Sequence, residues 1–198
     1  GMACFAGPGD LITLVRNHEL GPDETRLSPF GADAERFGQI DPAKCYDTRP
    51  DGKPHLGGTT TVHFDPRRRA VVRQFLSLAG TEDNCAGGPT PWGSWITCEE
   101  TRARAGQGGA KDHGYAFEVP ADAQGLVTPV PLIQMGRFNR EAVAVDPETS
   151  IVYQTEDDRP SLITRFIPDV PGDLTQPGRL QALAVLDRPG VNTNNWPD

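Results

Sequence analysis

Short apolar runs broken by Gly, Pro and Asp-Pro turns constrain this chain more than any other feature. With 22 Gly and 19 Pro spread over 198 residues, no segment keeps a helical period for long. Leu11–Glu19, with Met2–Ala6 as its hairpin partner, reads as a buried strand. Thr59–Phe64 and Ala70–Leu78 flank Asp65-Pro66-Arg67-Arg68, where Pro66 suits the second turn position and Asp65 caps it. Trp95–Cys98, His113–Val119 and Val130–Met135 are strand-like. So are Glu141–Val145 and Ile151–Thr155, with Asp146-Pro147 between them, and then Leu162–Ile167 and Leu180–Leu186. Residues 21–58 lack periodicity and read as a long loop excursion, while the tail Asn192–Asp198 shows no closing strand. The expectation is an all-β protein of short antiparallel strands.

Composition narrows the function. The net charge is −8, and the one basic run, Arg67-Arg68-Arg69, falls in a turn, so no nucleic-acid partner is expected. No apolar run is long enough for a membrane span, and none resembles a signal-peptide core. Cys4, Cys45, Cys85 and Cys98 form no CxxC pair. A Cys85–Cys98 disulfide is the bland alternative for those two thiols.

The stretch Asn84–Glu100 is the most informative. It opens with a thiol before Gly87-Gly88 and closes with Glu99-Glu100. If Cys85 begins one strand and Glu99 ends the next, a hairpin returns soft sulfur and hard oxygen to one sheet edge, which is a metal-site pattern. The pattern recurs: Cys85 precedes Glu99 by 14 residues and Glu141 precedes Glu156 by 15. Blade-like units lie near 2–20, 58–80, 85–135 and 141–186, which suggests a β-propeller of four-stranded antiparallel blades. Residues 1–198 then form one partial propeller domain, completed by further chain or by self-association. Glu19, Cys85, Glu99, Glu100, Glu141, Glu156 and Asp157 would converge near the axis. Carboxylates 4 Å apart repel by about 4 kcal/mol at an intermediate dielectric, so such a group protonates or binds multivalent cations.

These motifs resemble the PhoX family, the calcium- and iron-dependent bacterial alkaline phosphatases, and their wider group of relatives. The matching pieces are Arg16-Asn17-His18-Glu19, Asn84–Gly88 with Trp92–Glu100, His113–Val119, Gly136–Ala142 and Thr155-Glu156-Asp157. The resemblance implies a six-bladed propeller, of which this chain supplies about half, hydrolysing small phosphate esters at an axial iron and calcium cluster. It also implies a periplasmic or secreted protein. By that likeness Cys85 is the thiolate on iron, and Glu19, Glu99, Glu100, Glu141, Glu156 and Asp157 share the metals. Cys85, Glu99 and Glu141 would stand at the chemistry. Arg137 and Arg140 are candidates to clamp phosphate or to pair with nearby carboxylates, and His18 to hydrogen-bond a ligand. One departure is that Arg140 stands where the family usually has His, and Arg cannot ligate metal.

Plainer readings stand beside these. Cys98, Trp92 and Trp95 suit the core, and His55, His63 and His113 suit structural roles. Strand alternation sends Glu99 and Glu100 to opposite faces. A calcium-stabilised binding module without catalysis, or a calcium-dependent lactonase, is the functional alternative.

Overall fold

The computed structural model describes residues 1–188, 190 and 191; the tail Asn192–Asp198 lies outside them. Eleven strands build three antiparallel sheets, and among the described residues the only helical turns are short 3-10 segments. The first sheet joins β1 (Met2–Ala6), β2 (Ile12–His18), β3 (Gly57–Asp65) and β4 (Ala70–Thr81) in that order. The second holds β5 (Asn84–Pro89), β6 (Ser94–Glu99) and β7 (Ala116–Pro120), and the third β8 (Arg140–Val145), β9 (Val152–Glu156), β10 (Thr164–Pro168) and β11 (Gly178–Ala182). No helix of the described residues is long and apolar enough to cross a membrane.

Two expectations change. The segments near 2–20 and 58–80 are one sheet, because β2 pairs with β3 from Ile12↔Phe64 to His18↔Gly58. The intervening loop leaves the sheet and returns to the same edge, burying Phe30 and Tyr46 on the way. Val130–Met135 is not a strand: Phe117↔Pro131 is a single bridge, and Ile133–Met135 is a 3-10 turn. Pro129 and Pro131 have no N–H to donate, so a ladder cannot run through them.

The second sheet is the middle layer, and β6 is buried along its whole length. Its alternate residues serve two cores. Trp95 joins Val15, Tyr46, Leu78, Phe117 and Val119 on the side of the first sheet. Ile96 and Cys98 join Val143, Val152 and Phe166 on the side of the third. Each large apolar side chain fully buried here contributes roughly 1.5–3 kcal/mol. Asn17 ties the first layer to the second: its Nδ2 donates to the carbonyls of Cys85 (3.2 Å) and Ala86 (2.8 Å), and its Oδ1 accepts from Trp95 Nε1 (2.7 Å). Backbones touch between the second and third sheets, where a Cβ on Gly88 would stand 2.1 Å from the Val143 carbonyl oxygen.

Candidate metal centre

Two equivalent irregularities create the site. The β5–β6 ladder pairs Asn84 with Glu99, then slips before Gly87, so Cys85 and Ala86 leave the register. The β8–β9 ladder pairs Arg140 with Glu156, then slips before Val143, so Glu141 and Ala142 leave it. A bulge re-aims side chains at a sheet end. Here it turns Cys85 and Glu141 toward each other. The residue after each partner strand is fixed alike, Glu100 N–H donating to the Asp83 carbonyl (2.9 Å) and Asp157 N–H to that of Asn139 (3.1 Å). The two slips thus match in position, although the second sheet has three strands and the third has four.

Cys85 Sγ, Glu100 and Glu141 each bring a ligand-type atom to within 4.8 Å of the others. The sulfur also lies 3.2 Å from the Arg140 carbonyl and 3.3 Å from that of Glu141. All four cysteines are free, so no Cys85–Cys98 bridge exists. Burial, helped by Cys98, Glu141 and Glu100, pushes the Cys85 thiol well above its ordinary range. Glu100 is lifted to about 7, first by burial and then by Glu141, Asp157 and Asp83. Asp83 is itself raised by burial and by Glu19 and Glu24. A thiol and several carboxylates that resist ionising in one another's company are what a multivalent cation stabilises, and sulfur plus oxygen suits a softer and a harder ion side by side. The donor set fits the metals that the resemblance implies.

The sequence-predicted residues divide. Cys85, Glu100 and Glu141 meet, and Asp157 adjoins Glu100. Glu19 lies outside the Cys85 set, near enough to Asp83 to raise its pKa, and Glu156 Oε1 accepts from Leu162 N–H at 3.4 Å, also outside that set. Glu99 is corrected. It faces the first sheet, where its carboxylate accepts from the N–H groups of Glu82 (2.9 Å), Gly114 (2.8 Å) and Tyr115 (3.0 Å) and from His113 Nδ1 (2.7 Å).

Arg140 is corrected too. It is 0% exposed, and its guanidinium donates to Gln154 Oε1 (3.0 Å) and to the carbonyls of Gly114 (3.3 Å), Met135 (3.0 Å) and Gly136 (2.8 Å), so it holds strand ends rather than phosphate. Arg137 Nη1 likewise donates to the carbonyls of Arg102 (2.8 Å) and His113 (3.1 Å). His18 Nε2 is bonded to Thr60 Oγ1 (2.7 Å) in β3, and burial, then Arg16, lowers its pKa to about 4. Asp83 was missed by sequence reasoning. Its signal is an acidic residue just before Asn84-Cys85, and it adopts a left-handed φ of 52°.

The chain is similar in structure to PhoX from Pseudomonas fluorescens in complex with vanadate, a transition state analogue. The TM-score is 0.56 at 17% identity, over 92% of this chain and 44% of that one. The likeness shows the fold, and this chain spans less than half of that chain's length. No curated protein sequence matches. The model of the family described as "Alkaline phosphatase PhoX" matches residues 65–198, more than half of the chain. With the thiol–carboxylate centre falling inside that match, the chain belongs to the PhoX alkaline phosphatase family.

Proposed function

We propose that the chain supplies part of a metal-dependent phosphoesterase centre, with Cys85, Glu100, Glu141 and Asp157 holding iron and calcium and Glu19 and Glu156 at its rim. The convergence of Cys85, Glu100 and Glu141 within 4.8 Å carries this reading. The three sheets would be successive blades, about half of a six-bladed propeller. The rest of a longer chain or self-association would complete it, and residues 1–198 would count as one domain. The matched bulges in β5 and β8 support that equivalence.

Bound cations would polarise the phosphoryl oxygens and neutralise charge building at phosphorus. The residues of the chain have separate tasks. The bulges aim the donors, Arg140 locks the end of β8, and Asn17 locks the end of β5. The buried Cys85 sulfur is kept from bulk water.

The test is elemental analysis of the full-length protein and its Cys85→Ser variant, with turnover of p-nitrophenyl phosphate at alkaline pH. Iron and calcium with turnover are expected, and the variant should lose iron. A metal-replete full-length protein that cleaves no phosphate ester would leave a binding module. Cleavage of lactones in its place would make the protein a lactonase.

A further inference from the structure

The opposite face of β6 carries a second donor set that the phosphoesterase reading does not use. Asp47 and His55 come from the long loop, closed on itself by the bridge Thr48↔Pro54, and His113 from the approach to β7. All three are buried, with one ligand-type atom of each within 4.8 Å of the others. We propose that Asp47, His55 and His113 form a site for one divalent transition-metal ion of the zinc class, which clamps both loops to the middle sheet.

The spacing suits an ion. His113 Nε2 makes a long hydrogen bond to Asp47 Oδ2 at 3.4 Å, and His55 Nε2 stands 3.9 Å from the same oxygen, beyond hydrogen-bond range. Donors bound at about 2.0–2.1 Å to a tetrahedral ion stand about 3.3–3.4 Å apart, so a small inward shift of His55 completes the geometry. His55 Nε2 is the second observation. The residue is 4% exposed and this nitrogen has no hydrogen-bond partner, a costly state for a buried polar atom. The nearby Gly108 carbonyl favours the charged ring without reaching Nε2 in hydrogen-bond geometry.

The far side of each ring is also arranged for a ligand. His113 Nδ1 donates to Glu99 Oε1 at 2.7 Å, and His55 Nδ1 faces Glu82 Oε2 at 3.6 Å. A carboxylate behind an imidazole fixes its tautomer and strengthens its free nitrogen as a donor. Asp47 supplies the oxygen donor, and Glu82 and Glu99 stand behind the two imidazoles. Two nitrogens and one oxygen select a borderline ion over calcium. Gly109 lies close against the donors, and a Cβ there would stand 2.2 Å from Asp47 Oδ2 and 2.7 Å from His55 Nε2. Beside it Lys111 N–H donates to Asp47 Oδ2 at 2.9 Å.

This site stands whether or not the chain hydrolyses phosphate esters. The experiment uses the full chain carrying Cys85→Ser, stripped with chelator and reloaded with cobalt(II) or zinc alone. One equivalent should bind, with tetrahedral cobalt absorption and two exchangeable, paramagnetically shifted imidazole N–H proton signals. His55→Gln should lose one signal and weaken binding by more than the roughly tenfold to hundredfold that losing a partner behind a ligand costs. Gly109→Ala, which keeps every donor, should weaken binding as well and covers the case in which His55→Gln does not fold. A Cys85→Ser protein without shifted imidazole signals, or equal affinity in the Gly109→Ala protein, overturns the proposal and leaves Asp47, His55 and His113 as a hydrogen-bonded core cluster.

Discussion

Glu99 and Glu100 are chain neighbours at the end of one strand, yet their surroundings are opposite. Glu99 faces the first sheet and meets only donors: three backbone N–H groups and His113 Nδ1. Glu100 faces the third sheet among Glu141, Asp157, Asp83 and a thiol. The protein meets the first carboxylate with its own donors and sets the second among acids and a thiol. Alternation along β6 thus separates a carboxylate bonded into the fold from one that, on the proposed reading, would hold a metal.

The contrast is sharpest in mutants. Cys85→Ser or Glu100→Gln in the full-length protein should abolish bound iron and turnover with little change in the urea midpoint, as elemental analysis and denaturation will show. Glu99→Gln should do the reverse, costing about 3 kcal/mol because an amide N–H is set against buried donors. If Glu99→Gln leaves the midpoint unmoved, the division between the two faces fails. Arg140→Met should cost about 2 kcal/mol by leaving the carbonyls of Met135, Gly136 and Gly114 unpaired, again read from denaturation.

A smaller effect lies in pH. In the metal-free protein Glu100 is raised from 4.5 to about 7, so the native state binds more protons across that window and stability falls as pH rises through it. His55 is lowered from 6.5 to about 4, so its contribution is complete above 6.5 and is lost as pH falls toward 4. The two slopes oppose each other. Thermal unfolding of Glu100→Gln should show stability rising more steeply from pH 4 to 6.5 than in the parent protein, because His55 and His18, both lowered to about 4, then act unopposed, and His55→Gln should flatten that rise. Weakest of all, Trp92→Ala should cost about 0.5–1 kcal/mol, since this ring is 36% exposed and its main tie is Nε1 to Glu118 at 2.6 Å.

Much of this was legible in the residues. Alternating β-branched and aromatic runs, with Asp-Pro turns between, located ten of the eleven strands near their observed bounds, with β5 marked only by its opening at Cys85. The repeat placed Cys85 and Glu141 in equivalent positions, and they meet. Other features depend on packing and leave little trace in a linear pattern. Alternation says that Glu99 and Glu100 diverge, but which one turns to the thiol depends on the layer each face meets. A strand Arg beside a Glu reads as a site residue, whereas Arg140 is buried against carbonyls supplied by a 3-10 turn near Met135. Trp92 suits a core by type, yet it sits at a turn between Pro91 and Gly93. Asp47 and His55 lie in a stretch without periodicity, so only three dimensions bring them to His113.

The Gly88 contact has a consequence for anyone screening variants. A single methyl at that position would wedge β5 from β8 and pull the sulfur away from Glu141 while every candidate donor side chain stayed intact. A survey that inspects donors alone would pass such an allele as healthy, although its centre had been prised open from behind.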